Sequence, residues 1–243
     1  MTEERDISGE VLTTEPLVLG DLKPFGIGGR RLCFSHPYDK GKCVKVLRQD
    51  KGRTIRYKKR RILPVWLHSA YDNNRHEEMV LNRLYRTIGP TMGEHLPICY
   101  GTVSTDLGPG LVLDLVRDHD DQISRTLREL ITLGHELSEF RAAFQQLGQF
   151  LVQHVILTRN LLDHNIVVRY AGDGSTKMFI IDGLGDPAWI PLGSWFKRVG
   201  KAKVNKRLRQ AWPRFESFAA KGGVTPEMIE KSNWGQGILK HRK

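Results

Sequence analysis

Short hydrophobic runs separated by turn residues predict several strands in the first half of the chain. The runs lie at 32–34, 43–47, 98–104 and 110–116, and a further strand is expected at 17–19. Between the second and third of these runs, apolar residues at three- and four-residue spacing predict a helix over 72–88 that ends before Gly89-Pro90. The first half is therefore expected to form a sheet with one helix.

Hydrophobic residues at helical spacing dominate the second half. They predict a short helix over 127–133 and a longer one over 136–159. A strand pair at 165–169 and 178–181 is expected around a Gly-containing turn. The polar stretch 117–121 separates the two halves and is the expected hinge. A run of strands followed by a run of helices indicates an α+β fold.

The composition is that of a globular protein that buries a substantial core. Of the 243 residues, 40% are hydrophobic and 27% are charged, which excludes collagen, coiled coil and disorder. The sequence has neither the run of roughly 18 to 20 apolar residues that a membrane span needs nor a secretory signal, so a cytoplasmic location is expected. Three cysteines without metal spacing predict neither a disulfide framework nor structural zinc.

Positive charge is concentrated in two tracts. The chain has 38 Lys and Arg against 27 Asp and Glu, a formal charge of +11, and the tracts 48–61 and 197–214 hold eight basic residues each. With the interleaved aromatics Tyr57, Trp195 and Trp212, these tracts are candidates for a nucleic-acid interface. A solvated helix face is the plainer interpretation, and an anionic membrane surface or an acidic protein partner would suit the same charge.

Two features of the first half fit phosphate binding. Glycines at Gly26, Gly28 and Gly29 would let backbone N–H groups approach phosphate oxygens, although taken alone they are better explained by a plain hairpin turn. Lys45 lies in an apolar strand, where a buried ammonium needs a partner, unless it is an edge-strand lysine that reaches water. The predicted helix offers Glu77 or Glu78, and the inward positions of Leu81 and Leu84 favour Glu77.

Two further features lie at the ends of the predicted strand pair of the second half. Asn165 enters the first strand, and Asp182 follows the second as part of an Asp-Gly turn. An amide oxygen and a carboxylate at neighbouring strand ends are ligands that magnesium accepts together with phosphate. Each residue alone is explained by a cap or a turn, so the prediction depends on their occurring together.

The order of these features resembles the protein-kinase-like superfamily: Gly-rich loop, strand lysine, helix glutamate, hinge, a loop ending in Asn, and an Asp-Gly turn. Within it, the stretch from Gly26 to about Phe215 resembles the bacterial YrbL family, the PhoP regulatory network proteins. The matching text includes GIGGRRLCFSHP, CVKVLR, LLDHNIVV, IIDGLGDP and IPLGSW, and the block GTVSTDLGPG is the most specific to the family.

The resemblance implies a two-lobed kinase-like fold with ATP and magnesium in the cleft between the lobes. A strand-rich N-terminal lobe would span 16–116, and a short helical C-terminal lobe would span 117–243. Gly26 and Gly28 would cover the phosphates. The other implied roles are a lobe-bridging ion pair of Lys45 with Glu77, adenine binding by backbone near Asp114 and Val116, and magnesium binding by Asn165 and Asp182.

Two departures from the superfamily pattern put catalysis in doubt. The third glycine of the loop is Arg31, whose side chain would crowd or clasp the phosphates, and the position of the catalytic aspartate is Asn160. Asp163 is a carboxylate three residues further on. The resemblance therefore implies a YrbL-like regulatory protein that either transfers phosphate slowly to an unknown protein or small-molecule acceptor, or acts as a pseudokinase. The alternative is a non-catalytic module that binds nucleic acid or an acidic partner through the basic tracts.

Overall fold

The computed structural model describes residues 15–48, 73–185, 197–232 and 234–243, and these form a mixed arrangement of helices and antiparallel strands. The strands within these residues are β1 (Gly26–Ile27), β2 (Arg31–Ser35), β3 (Lys42–Leu47), β4 (Cys99–Val103), β5 (Gly110–Asp114), β6 (Arg125–Thr126), β7 (Ile166–Tyr170) and β8 (Thr176–Ile180). The α-helices are α1 (Asn73–Ile88), α2 (Leu127–Thr132), α3 (Arg141–Gln153), α4 (Lys197–Ala219) and α5 (Pro226–Glu230). Short 3-10 helices are Gly89–Glu94, Leu137–Phe140 and Asp163–Asn165.

The strands form two antiparallel sheets. The first has five strands in the order β1-β2-β3-β5-β4, with α1 inserted in the chain between β3 and β4, and the second has three strands in the order β6-β7-β8. In the first sheet β3 is the middle strand, and Lys45 pairs with Cys33 on one side and Leu111 on the other. Lys45 is therefore not an edge-strand lysine, and the interpretation that its side chain reaches water from an edge strand is wrong.

The two faces of the five-stranded sheet belong to two different hydrophobic clusters. Val44 and Val46 pack with Leu17, Leu19, Phe34 and Val112 on one face. Cys43, Leu111 and Leu113 on the other face join the main core, which continues into α1, α3 and the three-stranded sheet. Because alternate residues of a strand point to opposite faces, Lys45 shares the face of Cys43. The polar site described below is thus built into the main core.

Two elements differ from the sequence-based prediction. The helix expected over 136–159 is a short 3-10 helix followed by α3, which ends at Gln153. Val155 takes a positive φ of 53°, and the chain then turns so that Thr158 forms a bridge with Leu184, an interaction between distant residues that local spacing does not encode. The strand expected at 17–19 is reduced to an isolated bridge between Leu17 and Thr105.

A buried ion pair fixes the loop that precedes β7. The side chain of Asp163 is 7% exposed and accepts two hydrogen bonds from Arg128 of α2, from Nε at 2.9 Å and from Nη2 at 2.8 Å. Burial raises the pKa of the Asp163 carboxyl, but hydrogen bonds from His164 and Arg128 and the charge of Arg128 outweigh it and hold the pKa at about 2. The loop from Asn160 to Asn165 is therefore tied to α2 by an ionised carboxylate.

The C-terminal segment, residues 234–243, joins the two halves of the molecule. It runs along the free edge of β1, where Gly235 N–H donates to Ile27 O at 2.7 Å and Lys240 N–H donates to Phe25 O at 2.8 Å. It then reaches the predicted hinge, where Arg242 O accepts Ile123 N–H at 2.9 Å and the Arg242 guanidinium pairs with Asp118. Sequence patterns gave no sign of this connection, because the segment forms neither a helix nor a strand.

Within the described ranges, no helix combines the length and the apolar character needed to cross a membrane. All three cysteines lie in these ranges as free thiols, as the absence of a disulfide pattern predicts. Burial raises the pKa of the Cys43 and Cys99 thiols to about 12, so neither is a reactive thiolate near neutral pH.

Replacing Asp163 by Asn should destabilise the protein in a pH-dependent way. The folded-state pKa of about 2 lies below the ordinary value of 3.8, so the ionised carboxylate contributes stability above pH 4 that is lost as the pH falls toward 2. The difference in unfolding free energy between wild type and D163N should fall by about 2 kcal/mol between pH 6 and pH 2. Urea unfolding across this range measures it.

Arg128→Gln is the matched variant, because it removes the main partner of the same carboxylate. In the R128Q background, replacing Asp163 by Asn should change the unfolding free energy by nearly the same amount at pH 6 and at pH 2. If the difference in unfolding free energy between wild type and D163N stays constant from pH 6 to pH 2, the low pKa of Asp163 in the folded protein is contradicted.

Candidate functional site

A buried ion pair joins the middle strand of the large sheet to α1. Lys45 Nζ lies 2.8 Å from Glu77 Oε1, and both side chains are 7% exposed. Asn74, Glu77 and Leu81 are the buried residues of α1, which places Glu77 on its inward face, while Glu78 interacts with Thr102 at 3.2 Å. The sequence left Glu77 and Glu78 open, and the structure pairs Lys45 with Glu77.

The same ammonium reaches the segment that follows β8. Lys45 Nζ donates to the backbone carbonyl of Ile181 at 2.7 Å. Ile181 precedes Asp182, so the hydrogen bond holds the Asp-Gly turn beside the sheet. One lysine thus contacts α1 and the far end of the strand pair in the second half of the chain.

Arg31 adds a second cation to this site. Its guanidinium pairs with Glu77 through Nη1 and with Asp182 Oδ2 through Nη2 at 2.5 Å. The Arg31 side chain is 6% exposed, whereas that of Asp182 is 48% exposed. We call Arg31, Lys45, Glu77 and Asp182 the four-charge cluster; it contains two cations and two carboxylates.

The cluster favours the charged forms of Asp182 and Lys45. Burial raises the pKa of the Asp182 carboxyl, but the charges of Arg31 and Lys45 outweigh it and hold the pKa at about 2. Burial lowers the pKa of Lys45, but the negative charges around it, of which Glu77 and then Asp182 contribute most, together outweigh burial, so the net shift is upward. Buried charges are tolerated only when they are paired and hydrogen-bonded, and each of these four has an opposite charge in contact.

Asn74 supports the cluster from the first turn of α1. Its Nδ2 donates to the backbone carbonyl of Lys45 at 2.7 Å, and its Oδ1 lies 3.5 Å from Arg31 Nη1. The amide therefore fixes the distance between β3 and α1 and faces the guanidinium. Sequence reasoning did not identify Asn74, because its only local signal is an amide on the inward side of a helix.

The two residues predicted to bind magnesium lie close together. Gly183 adopts φ of +82°, and a Cβ placed on it would lie 3.0 Å from Asn165 Nδ2, so the Asn165 side chain packs against the turn next to Asp182. Both carboxylate oxygens of Asp182 already accept hydrogen bonds: Oδ1 from Gly183 N–H at 2.6 Å and Oδ2 from Arg31. No group of three or more Asp, Glu, His or Cys in the described ranges is placed to hold a metal ion. A metal ion at Asp182 would compete with the guanidinium for the same carboxylate.

Asn160 lies at the surface of the same region. Arg159 N–H donates to Gly183 O at 2.7 Å, which holds this segment beside the Asp-Gly turn, and Arg207 of α4 donates to Asn160 Oδ1 at 3.3 Å. Asp163 is buried against Arg128 and is not available as a replacement base. The only charged side chain hydrogen-bonded to Asn160 in the described part of the chain is therefore a cation.

The glycines assigned to phosphate lie at the start of β1 and in the turn between β1 and β2. Gly26 pairs with Cys33 in the sheet, and Gly28 N–H donates to Arg31 O at 2.8 Å. The Gly28 carbonyl accepts from Arg48 at 3.2 Å. The N–H of Gly28 is thus used by the turn itself, and the side chain that enters the site from this turn is Arg31.

The residues assigned to adenine lie at the end of β5. The backbone N–H of Asp114 donates to Ile98 O at 3.0 Å, and its carboxylate accepts from Ile98 N–H and from Tyr100 Oη, each at 2.8 Å. Val116 O accepts from Ser124 N–H at 3.0 Å. The Asp114 side chain therefore braces β4 against β5, and it is the backbone after Asp114 that borders the polar stretch 117–121.

The second basic tract forms a helix with one exposed basic side. Val204, Ala211, Trp212 and Phe215 of α4 are buried, and Trp212 lies 5.1 Å from Phe144 of α3, centroid to centroid. The exposed basic residues are Lys197, Arg198, Lys201, Lys206, Arg209 and Arg214. Trp212 is therefore a packing residue and cannot stack on bases. The tract 48–61 with Tyr57, apart from Arg48, and also Trp195 lie outside the described residues.

The comparisons with known proteins confirm the resemblance to the YrbL family. The family model described as PhoP regulatory network protein YrbL matches residues 17–215. Two relatives, each named "Uncharacterized protein YrbL", come from Escherichia coli (strain K12) and Shigella flexneri. Each is 29% identical over 203 residues, covering 81% of this chain and 85% of its own. The match contains the whole four-charge cluster, and the chain belongs to the YrbL family of PhoP regulatory network proteins.

Proposed function

We propose that the chain is a kinase-like, two-lobed regulatory protein that binds ATP between a lobe at 16–116 and a lobe at 117–243. The observation that carries the proposal is the Lys45–Glu77 pair, since Lys45 also bonds to the carbonyl that precedes Asp182. A five-stranded antiparallel sheet with one helix between its third and fourth strands fits the first lobe. The α2, α3 and α4 helices with the β7–β8 hairpin fit the second.

The nucleotide phosphates would bind beside Lys45 and Arg31. Lys45 uses two of its three ammonium hydrogens on Glu77 and Ile181, which leaves one for a phosphate oxygen. Gly26 in β1 and Gly28 in the turn that follows would cover the phosphates, and adenine would bind backbone groups between Asp114 and Val116. Magnesium would enter at Asn165 and Asp182 only if Arg31 leaves the carboxylate.

Phosphoryl transfer at this site would be slow. Asn160 cannot accept a proton from an acceptor hydroxyl, and loss of a general base costs roughly 10² to 10⁴ in rate. Positioning and charge stabilisation, which dominate phosphoryl transfer, would remain. The protein would thus transfer phosphate slowly to a protein or small-molecule acceptor, or act as a pseudokinase that senses nucleotide.

ATP should raise the melting temperature of the wild-type protein, because a ligand that binds only the folded state stabilises it in proportion to ln(1 + [L]/Kd). Lys45→Ala should lose most of that shift. The fold should survive the substitution, since Glu77 keeps Arg31 as its partner. Thermal unfolding at increasing ATP concentration measures the shift.

Lys42→Ala is the control, because Lys42 lies on the same strand and packs over Tyr100, with Nζ 4.3 Å from the ring centroid. It should keep the full ATP shift. Absence of a shift in wild type at millimolar ATP, or equal shifts in all three proteins, would contradict the proposed site.

The exposed side of α4 supports a second candidate function, a binding module for an anionic partner such as nucleic acid. Between Lys197 and Phe215 the helix contains no acidic residue, and the exposed Lys and Arg residues have no acid in this stretch to neutralise them. A row of exposed cations on a docked helix is the electrostatic requirement for tracking a phosphate backbone.

If α4 binds nucleic acid, the triple variant Lys201→Gln, Lys206→Gln, Arg209→Gln should weaken binding. The plot of the logarithm of the binding constant against the logarithm of the salt concentration should also become less steep, by about 2 to 3 in slope. The reason is that the variant neutralises fewer phosphates, so its binding releases fewer counterions. Lys45→Ala should leave both quantities unchanged. Fluorescence anisotropy with a labelled single strand at several salt concentrations measures them, and no binding at low salt would rule out this candidate.

A further inference from the structure

Arg31 changes the charge balance of the proposed nucleotide site. Lys45, Glu77 and Asp182 alone would leave one net negative charge beside the phosphates, and a divalent cation would be needed to offset it. With Arg31 included, the four-charge cluster has two positive and two negative charges. The site is therefore neutral without any metal ion.

The geometry places the guanidinium where a metal ion would bind Asp182. Arg31 Nη2 lies 2.5 Å from Asp182 Oδ2, and the other oxygen accepts the Gly183 N–H at 2.6 Å. A magnesium ion sits about 2.1 Å from its ligand oxygens, so it would lie next to the guanidinium and be repelled by it. Mg²⁺ and Arg31 are thus alternative partners of the same carboxylate.

Arg31 also keeps hydrogen-bond donors available for an anion. Its Nη1 bonds to Glu77 and faces Asn74, and one Nη2 hydrogen bonds to Asp182. Of the five guanidinium donors, this leaves Nε–H and the second Nη2 hydrogen without an acceptor among the described residues. A planar guanidinium with two free donors is suited to phosphate oxygens.

We propose that Arg31 takes the place of a divalent cation at Asp182, so that the site binds nucleotide phosphates without metal. This inference rests on the proposed nucleotide site and adds the residue that determines its metal requirement. Arg31 neutralises Asp182 and donates to the phosphates, while Lys45 neutralises Glu77 and donates its third hydrogen. The ligand is a metal-free nucleoside triphosphate or another polyphosphate.

The test is calorimetric titration of ATP into the full chain at matched ionic strength, once with excess EDTA and once with excess Mg²⁺. Wild type should bind in both buffers with dissociation constants within about threefold of each other. Arg31→Gln should require the metal, with binding in EDTA weaker than in Mg²⁺ by at least about tenfold. Arg31→Lys, which keeps a cation, should restore binding in EDTA.

Arg30→Gln is the matched control, because it removes the neighbouring cation, whose side chain donates to Asn73 Oδ1 at 3.2 Å outside the cluster. It should behave as wild type. Wild-type binding that is at least about tenfold tighter in Mg²⁺ would overturn the inference and leave the nucleotide site standing. Absence of ATP binding in both buffers would overturn the nucleotide site as well. The two wild-type titrations decide the question even if Arg31→Gln does not fold.

Discussion

The burial of the Glu77 carboxylate with two cations, one of which also pairs with Asp182, is the constraint on which the arrangement of the chain depends. Glu77 is nearly inaccessible to water, and removing one partner of a buried pair typically costs 3 to 5 kcal/mol. The pairs hold β2, β3, α1 and the turn after β8 at fixed positions. The fold that brings these four elements together is therefore also the fold that makes the polar site.

The second link between the two halves has a different character. The C-terminal segment bonds to the edge of β1 through backbone groups, and to Ile123 and Asp118 through Arg242. The family model ends at residue 215, so the four-charge cluster lies within the matched region and this segment lies beyond it. The polar site therefore belongs to the part of the chain that resembles the family.

Local sequence patterns predicted most elements and three of the four charges, Lys45, Glu77 and Asp182, but not the way they meet. The helix 72–88, the strands around Lys45 and the hairpin before Asp182 were recognisable because their hydrophobic spacing is local. Of the predicted helix, residue 72 lies outside the described residues. From the sequence, Arg31 was recognised only as the residue that stands in place of the third glycine of the loop. Its pairing with Asp182 was not predicted, because the two residues are 151 positions apart. The early end of α3 and the course of the C-terminal segment depend on similar long-range contacts.

A double-mutant cycle on Arg31 and Asp182 tests the central claim most directly, because it measures their coupling without any ligand. The unfolding free energies of wild type, Arg31→Gln, Asp182→Asn and the double variant give the interaction energy of the pair. We expect a coupling on the order of 1 to 2 kcal/mol, as for contacting charged residues in one network. Effects that add to within about 0.5 kcal/mol would show that the guanidinium does not hold Asp182.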